Sequence, residues 1–317
     1  MAIDNNKLQK ILDDIPENPS WLNQYRLWNH SMSQLNTPDG PWCFKYLILS
    51  PEERAKIHVG SKAFLGNRVA EVLQNMFSDF LYTWNHITKV SKKTTVEKLS
   101  LDQNIEIQLE KFKNYLPNLA EDDLDQHEVN QEGFIDILTN GIKGMQEINL
   151  SSPVESEQGL RFKPDEQLMP TIGQTDFVDK NYVVELKCKT RRKGRVLKST
   201  GKRNYSIVNI DKPQNEHIDQ VLFYSHVLKK KPILLVVNEN GYKIFNEENC
   251  EQLNKDNQKY VLRRIIQTAK RRERLMQRHV ETRNFHEDIE PGFNHPFYWN
   301  FDGSNKHKRE AMKLWNQ

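Results

Sequence analysis

Apolar residues recur at every third or fourth position in several stretches of this chain, and that spacing places them on one face of a helix. The clearest stretch covers 63–84, and two more cover about 101–115 and about 131–148. Later helices are indicated at 216–229 and, long and basic, at 252–283. The acidic segment 121–125 is interpreted as a solvated loop. These stretches predict amphipathic helices that pack against other elements.

The pattern changes after Pro153, where β-branched residues alternate with other residues over 168–189. That run breaks at Asp179-Lys180-Asn181, a turn-forming cluster, so the segment predicts a β-hairpin. A short apolar strand at 233–238 and a chain reversal at 239–241 follow. The expected fold class is α/β, with a mixed central β-sheet flanked by helices. An irregular, helical N-terminal cap at 1–60 and a tail at 291–317 would enclose a core at 61–290.

Composition and charge exclude several classes of protein. Of the 317 residues, 37% are hydrophobic and 28% charged, which lies within the globular range, and the net charge of +3 does not by itself indicate a nucleic-acid partner. The polar N-terminus lacks a secretory signal, and the longest apolar run is far shorter than the ~20 residues that span a bilayer. We therefore expect a cytoplasmic protein with no membrane partner. Three widely separated cysteines, Cys43, Cys188 and Cys250, predict neither disulfides nor an iron–sulfur cluster.

The predicted hairpin brings two acidic residues together. If its loop is Lys180-Asn181, paired residue numbers sum to 361, and Asp176 lies directly opposite Glu185. Such side chains have Cβ atoms about 4.5–5.5 Å apart, and Lys187 shares the face of Glu185 because side chains alternate. Two close carboxylates repel each other unless a cation lies between them, and oxygen ligands suit Mg²⁺ or Mn²⁺. The alternative is that Glu185 and Lys187 are ordinary charges on a half-exposed strand.

Three short motifs favour the metal site over that alternative. They are Gly173-x-x-Asp176, then Glu185-Leu186-Lys187, then Gln220-x-x-x-Tyr224 on a predicted helix. Their order and element types resemble the RecB-like branch of the PD-(D/E)xK nucleases. The resemblance spans about 173–237 and implies a restriction-endonuclease-like core.

The resemblance also implies roles for these residues. Asp176 and Glu185 would bind Mg²⁺ or Mn²⁺, the Leu186 carbonyl would add a ligand, and Lys187 would be the catalytic lysine. Gln220 and Tyr224, on one face of their helix, would organise the active centre and contact DNA. One departure concerns an upstream GxxxH helix of many relatives, because Ala70 stands here where they carry a metal-binding histidine.

A basic segment directly after the predicted strand that carries Glu185 and Lys187 indicates the substrate. It is expected to be a flexible loop that neutralises DNA phosphates, through Lys189, Arg191, Arg192, Lys193, Arg195, Lys198, Lys202 and Arg203. The resemblance implies a metal-dependent DNA exonuclease that acts on single strands or duplex ends with little sequence specificity, in recombination, repair or DNA degradation. A structure-specific endonuclease and a catalytically decayed DNA-binding module remain alternatives. Protein partners are unknown.

Overall fold

A computed structural model describes residues 20–25, 27, 29–57, 59–84, 91–196, 203–282, 284–294, 296–299 and 305–316. The α-helices are α1 (Met32–Leu35), α2 (Asp39–Cys43), α3 (Pro51–Ala55), α4 (Ser61–Phe77), α5 (Leu101–Tyr115), α6 (Leu124–Ile148), α7 (Asn215–Leu228), α8 (Lys255–Arg278), α9 (Pro296–Trp299) and α10 (Lys306–Trp315). The strands are β1 (His30–Ser31), β2 (Phe80–Trp84), β3 (Ser91–Thr95), β4 (Glu155–Ser156), β5 (Gly159–Phe162), β6 (Thr171–Gln174), β7 (Phe177–Val178), β8 (Tyr182–Cys188), β9 (Arg192–Val196), β10 (Arg203–Ser206), β11 (Lys231–Asn238) and β12 (Gly241–Phe245).

A seven-stranded mixed sheet forms the centre of the fold, in the order β12-β11-β8-β7-β4-β2-β3. Strand β8 lies parallel to β11 and antiparallel to β7, so both of its edges are paired near the hairpin turn. Two smaller sheets, β1-β6-β5 and β10-β9, lie outside it. The predicted α/β class, with a mixed sheet flanked by helices, is confirmed.

Helices cover both faces of the central sheet. Helices α4, α5 and α6 pack with one set of β8 and β11 side chains, which includes Val184 and Leu235. Helices α7 and α8 pack on the opposite set, which includes Val183 and Leu234. Seven of the eight β11 residues are buried, as expected of a strand covered on both faces. No described helix is long and apolar enough to cross a membrane.

The N-terminal segment is fastened to α8 by buried polar groups. The Arg272 guanidinium, 1% exposed, donates to the Gln34 carbonyl at 2.8 Å and to the Asp39 carboxylate at 3.0 Å. It also lies over the Trp42 ring, at 4.4 Å from the centroid. The described part of the N-terminal cap therefore packs against the core, and α8 uses a basic residue as a structural clamp.

Two predictions about local structure were wrong. The helix expected over 63–84 ends at Phe77, and the aromatic segment that follows is strand β2, paired with β3. The acidic segment expected to be a solvated loop leads directly into α6. Asp123 is buried there and accepts the Ser61 backbone N–H at 2.6 Å, at the start of α4. An orphan N–H at a helix start favours an acidic acceptor, which explains the burial of Asp123.

We expect Arg272→Met to lower the free energy of unfolding by about 3–5 kcal/mol, because it leaves buried carbonyls and a carboxylate without their donor. The matched control is Arg271→Met. Arg271 also contacts Asp39, but its side chain is 64% exposed, so its loss should cost only about 0–1 kcal/mol. Urea unfolding of both variants checks this, and equal losses would contradict a clamping role.

Candidate active site

The hairpin that carries the acidic residues has the predicted register. Phe177 pairs with Val184 and Val178 with Val183, so paired numbers sum to 361. The Asp179 carboxylate stabilises the turn by accepting the backbone N–H groups of Asn181 at 2.7 Å and Tyr182 at 2.6 Å. Because this turn selects the register, it also selects which residues of β8 lie beside Asp176.

The backbone ladder between β7 and β8 stops just before the acidic residues. The Asp176 carboxylate accepts the Leu186 backbone N–H at 2.6 Å, where a strand partner would otherwise accept it. The Leu186 carbonyl points to the same edge of β8, since both groups of one residue face one neighbour. The first arm of the predicted hairpin is therefore divided, with β6 belonging to the small sheet and β7 to the central sheet.

Glu185 is a buried carboxylate in the middle of β8. It is 1% exposed, and Lys187 Nζ donates to its Oε1 atom, while Oε2 has no hydrogen-bond partner among the described residues. Burial and the neighbouring Asp176 charge raise the pKa of Glu185 to about 8. Burial opposes the charge of Lys187, but Glu185 and Asp176 outweigh it and raise the pKa of Lys187. Lys187 therefore stays an ammonium at neutral pH.

Helix α7 places the glutamine and tyrosine of the third motif over these residues. Gln220 Nε2 donates to the Tyr224 hydroxyl at 2.8 Å, as their four-residue spacing on a helix allows. Tyr224 is buried, and burial together with the Glu185 charge raises its pKa well above the usual range. Its ring packs on Gly173, where a Cβ atom would overlap Cε1 and lie 3.2 Å from Cζ. The glycine of the first motif thus makes room for the tyrosine of the third.

Glu157 is a third carboxylate near the site, and it was not predicted from the sequence. It follows β4 with a left-handed φ of 58°, and its Oε1 atom accepts from Gln74 of α4 at 2.5 Å. Burial and the Asp176 charge raise the pKa of Glu157 to about 7, and Glu157 in turn contributes to the raised pKa of Glu185. Left-handed backbone at a non-glycine residue often marks a functional site. No sequence motif flags this residue, because its conformation depends on tertiary contacts.

The donors present fit a divalent cation held by few protein ligands. The Glu185 Oε2 atom is buried and unpartnered, and the Asp176 charge raises the pKa of Glu185, so a cation would relieve both conditions. Across the described ranges, no group of three or more His, Cys, Asp or Glu side chains is placed so that it could hold a metal ion. Asp176, Glu185 and the Leu186 carbonyl would therefore need water to complete an octahedral shell, which Mg²⁺ commonly retains.

The place of the absent histidine supplies no ligand. Ala70 packs against the apolar cluster between α4 and the sheet. The adjacent Glu71 is occupied by Arg68 and Lys111, each at 2.5 Å. One turn after Ala70, however, Gln74 holds Glu157 beside Asp176. Helix α4 thus contacts the site through the Gln74 amide, which donates to the Glu157 carboxylate.

The basic segment differs from the flexible loop that the sequence predicts. Its described residues form a ribbon of β9 and β10, and Lys193, Arg203 and Tyr205 all bind the Asp125 carboxylate, at 2.7, 3.0 and 2.8 Å. Arg191 binds Glu239, and Lys189 binds Gln214. Arg192 and Arg195 are exposed, whereas Lys198 and Lys202 lie outside the described residues. Ion pairing with α6 therefore orders part of the predicted DNA-binding surface.

No protein-family model matches this sequence, and no curated protein matches it significantly. Among solved structures, one described as "Crystal structure of SSO0001" is 14% identical, covering 65% of this chain and 85% of that chain, with a TM-score of 0.28. That score is too low to relate the two folds.

We expect Gly173→Ala to destabilise the protein by about 1–3 kcal/mol, because the methyl group overlaps the buried Tyr224 ring. Gly66 of α4 is the matched control. A methyl group there meets nothing within 4 Å, so Gly66→Ala should raise stability by up to about 1 kcal/mol through helix propensity. Denaturant unfolding measures both signs, and a neutral Gly173→Ala would refute the contact.

In the absence of divalent cations, Glu185→Gln should gain stability relative to wild type as pH rises from 4.5 towards about 8. The unfolded chain ionises Glu185 near the ordinary pKa, whereas the fold retains its proton, so wild-type stability declines across that window. Below 4.5 both states are protonated and this contribution to the difference vanishes. Unfolding in EDTA at pH 5 and pH 8 tests this, and a difference that shrinks with pH would overturn the assignment.

Proposed function

We propose that this protein is a metal-dependent DNA nuclease of the PD-(D/E)xK type, acting as an exonuclease on single strands or duplex ends. One observation carries the proposal. Asp176, Glu185 and Lys187 converge at the end of a strand ladder, beneath Gln220 and Tyr224, with one buried Glu185 oxygen unpartnered. A purely structural carboxylate at this depth would be expected to have both oxygens satisfied.

Asp176, Glu185 and the Leu186 carbonyl would hold Mg²⁺ or Mn²⁺. When bound, such an ion supplies a water of lowered pKa and neutralises charge on a phosphate. The Leu186 N–H of β8 donates to Asp176 Oδ2 and so orients the carboxylate. Asp176 Oδ1 would then be the oxygen available to the cation. The carboxylates would repel a DNA phosphate without a cation, so we expect substrate turnover to require one.

Lys187 acts as a hydrogen-bond donor rather than as a base. Its pKa is raised by two carboxylates, and its Nζ donates to Glu185. A protonated amine can orient the attacking water and stabilise charge that develops on the phosphate. Gln220 fixes the Tyr224 hydroxyl above Glu185, so the tyrosine shields the carboxylates and limits the direction from which DNA enters.

The test is a nuclease assay with Mg²⁺ on end-labelled single- and double-stranded DNA. Glu185→Ala and Lys187→Ala should each lower cleavage at least a hundredfold, a usual effect of removing one catalytic group. DNA binding should persist in Glu185→Ala. The matched control is Lys180→Ala, on the exposed hairpin turn, which should cleave at the wild-type rate. Unchanged cleavage in Glu185→Ala would refute the site.

Two further readouts separate the alternatives. Cutting of closed circular DNA would identify an endonuclease on the same core, because an exonuclease requires an end. A decayed module would bind DNA without any Mg²⁺- or Mn²⁺-dependent product. In that case the cation should also fail to raise the wild-type Tm, whereas a functional site should show a Tm increase that Glu185→Gln removes.

A further inference from the structure

Strand β8 and helix α7 both extend beyond the carboxylates. The Lys189 backbone N–H donates to the Val237 carbonyl at 2.7 Å, so the extended chain of β8 runs on past Cys188. Because side chains alternate, Glu185, Lys187 and Lys189 follow one another on the face towards α7. Helix α7 runs in the opposite direction above them, which brings its first turn over the two lysines.

Contacts between the chain just after β8 and the first turn of α7 join the strand to the helix. Lys189 Nζ donates to the side-chain oxygen of Gln214 at 2.6 Å, and Gln214 is the N-cap residue of α7. The His217 backbone N–H donates to the Gln214 carbonyl at 3.0 Å. His217 lies close enough to both lysines for their charges to act on its ring. Lys187, Lys189 and His217 therefore lie near one another at the start of α7.

The chemistry of these three side chains favours an anion. Lys189 is half-buried, and the hydrogen-bond partner of its ammonium is a neutral amide. The Nδ1 atom of His217 is buried and has no hydrogen-bond partner among the described residues. Burial and the lysine charges lower the pKa of His217 to about 2, so its ring is neutral and offers one N–H.

A metal ion is disfavoured at the same place. Two ammonium groups would repel it, so His217 is no replacement for the histidine that the resemblance expects at position 70. The acidic group whose charge acts on Lys189 is Glu216, an exposed residue of the first helical turn, and Tyr298 donates to it at 2.7 Å. Burial and Lys187 outweigh Glu216 and lower the pKa of Lys189 to about 8. Among the described residues, Lys189 forms no ion pair with a carboxylate, whereas Lys187 pairs with Glu185.

We propose that Lys189 and His217, together with Lys187, form a subsite that binds a phosphate group of DNA next to the scissile one. This inference rests on the proposed nuclease function. The phosphate is either an internal diester of the strand or a terminal monoester at its end, and both have the oxygens that two ammonium groups and an imidazole N–H recognise.

The test measures affinity for single-stranded oligodeoxynucleotides, labelled at the 3′ end, with and without a 5′ phosphate. EDTA prevents cleavage, and anisotropy is read at several salt concentrations. Lys189→Gln should weaken binding about tenfold and lower the salt slope by about 0.7, because one phosphate contact is lost. His217→Phe keeps the ring and should weaken binding about tenfold without changing the slope, because the imidazole is neutral.

Two control variants match these changes. His226→Phe alters a histidine at the other end of α7, and Lys231→Gln alters an exposed lysine at the opposite end of the sheet. Both should bind as wild type does. Circular dichroism and Tm confirm folding, and Lys189→Gln, which changes a partly exposed side chain, keeps the test valid if His217→Phe unfolds.

The outcomes separate the two phosphate sources and the two proposals. A 5′ phosphate that strengthens wild-type binding, but not binding by the variants, supports a terminal monoester. Weakening by the variants with no effect of the 5′ phosphate supports an internal diester. Wild-type affinity in both variants overturns the subsite even if the protein cleaves DNA. Binding that depends on Lys189 and His217 without cleavage supports the subsite and refutes the nuclease.

Discussion

The site depends on the burial of one carboxylate. Glu185 lies in the centre of the sheet, 1% exposed, where an isolated charge is strongly disfavoured. Lys187 neutralises part of that charge. Burial and the Asp176 charge still favour the protonated form, so the pKa of Glu185 rises to about 8 unless a cation binds. An apolar residue would fit this central strand at lower energetic cost. A buried acid with one unpartnered oxygen is therefore better explained by a ligand than by stability.

The three motifs act as one packed unit. The turn at Asp179 sets the register that places Asp176 beside Glu185, and Asp176 then ends the ladder by binding Leu186. Gly173 lets the Tyr224 ring approach the backbone, so α7 can lie close above the carboxylates. Each motif is short and weakly specific, but every one of them is needed to bring two acidic side chains and a lysine under one helix.

Local patterns predicted much of this arrangement. The α5 helix, the hairpin register, α7 within one residue, β11 and the reversal before β12 all follow from periodicity and turn chemistry. The failures share a cause, because they depend on tertiary contacts. The aromatic residues of β2 suit either a helix or a strand, and pairing with β3 decides between them. Asp125 orders the basic ribbon from a distant helix, and Glu157 reaches the site through a left-handed backbone that no motif encodes.

Charge changes sign along β8, and under the proposed function this order suits a nucleic-acid strand. Carboxylates alone would repel a phosphodiester, so the acidic end suits a cation first and a phosphate only through it. After Glu185, the next side chains on the same face of the extended chain are the ammonium groups of Lys187 and Lys189. Arg192 and Arg195 of the following ribbon are exposed. Lys193 and Arg203 pair with Asp125 of α6, and these ion pairs fix the position of the ribbon relative to that helix. Under the proposed function, a DNA strand that enters past the ribbon would meet Arg192 and Arg195 first, then the lysines, and last the carboxylates.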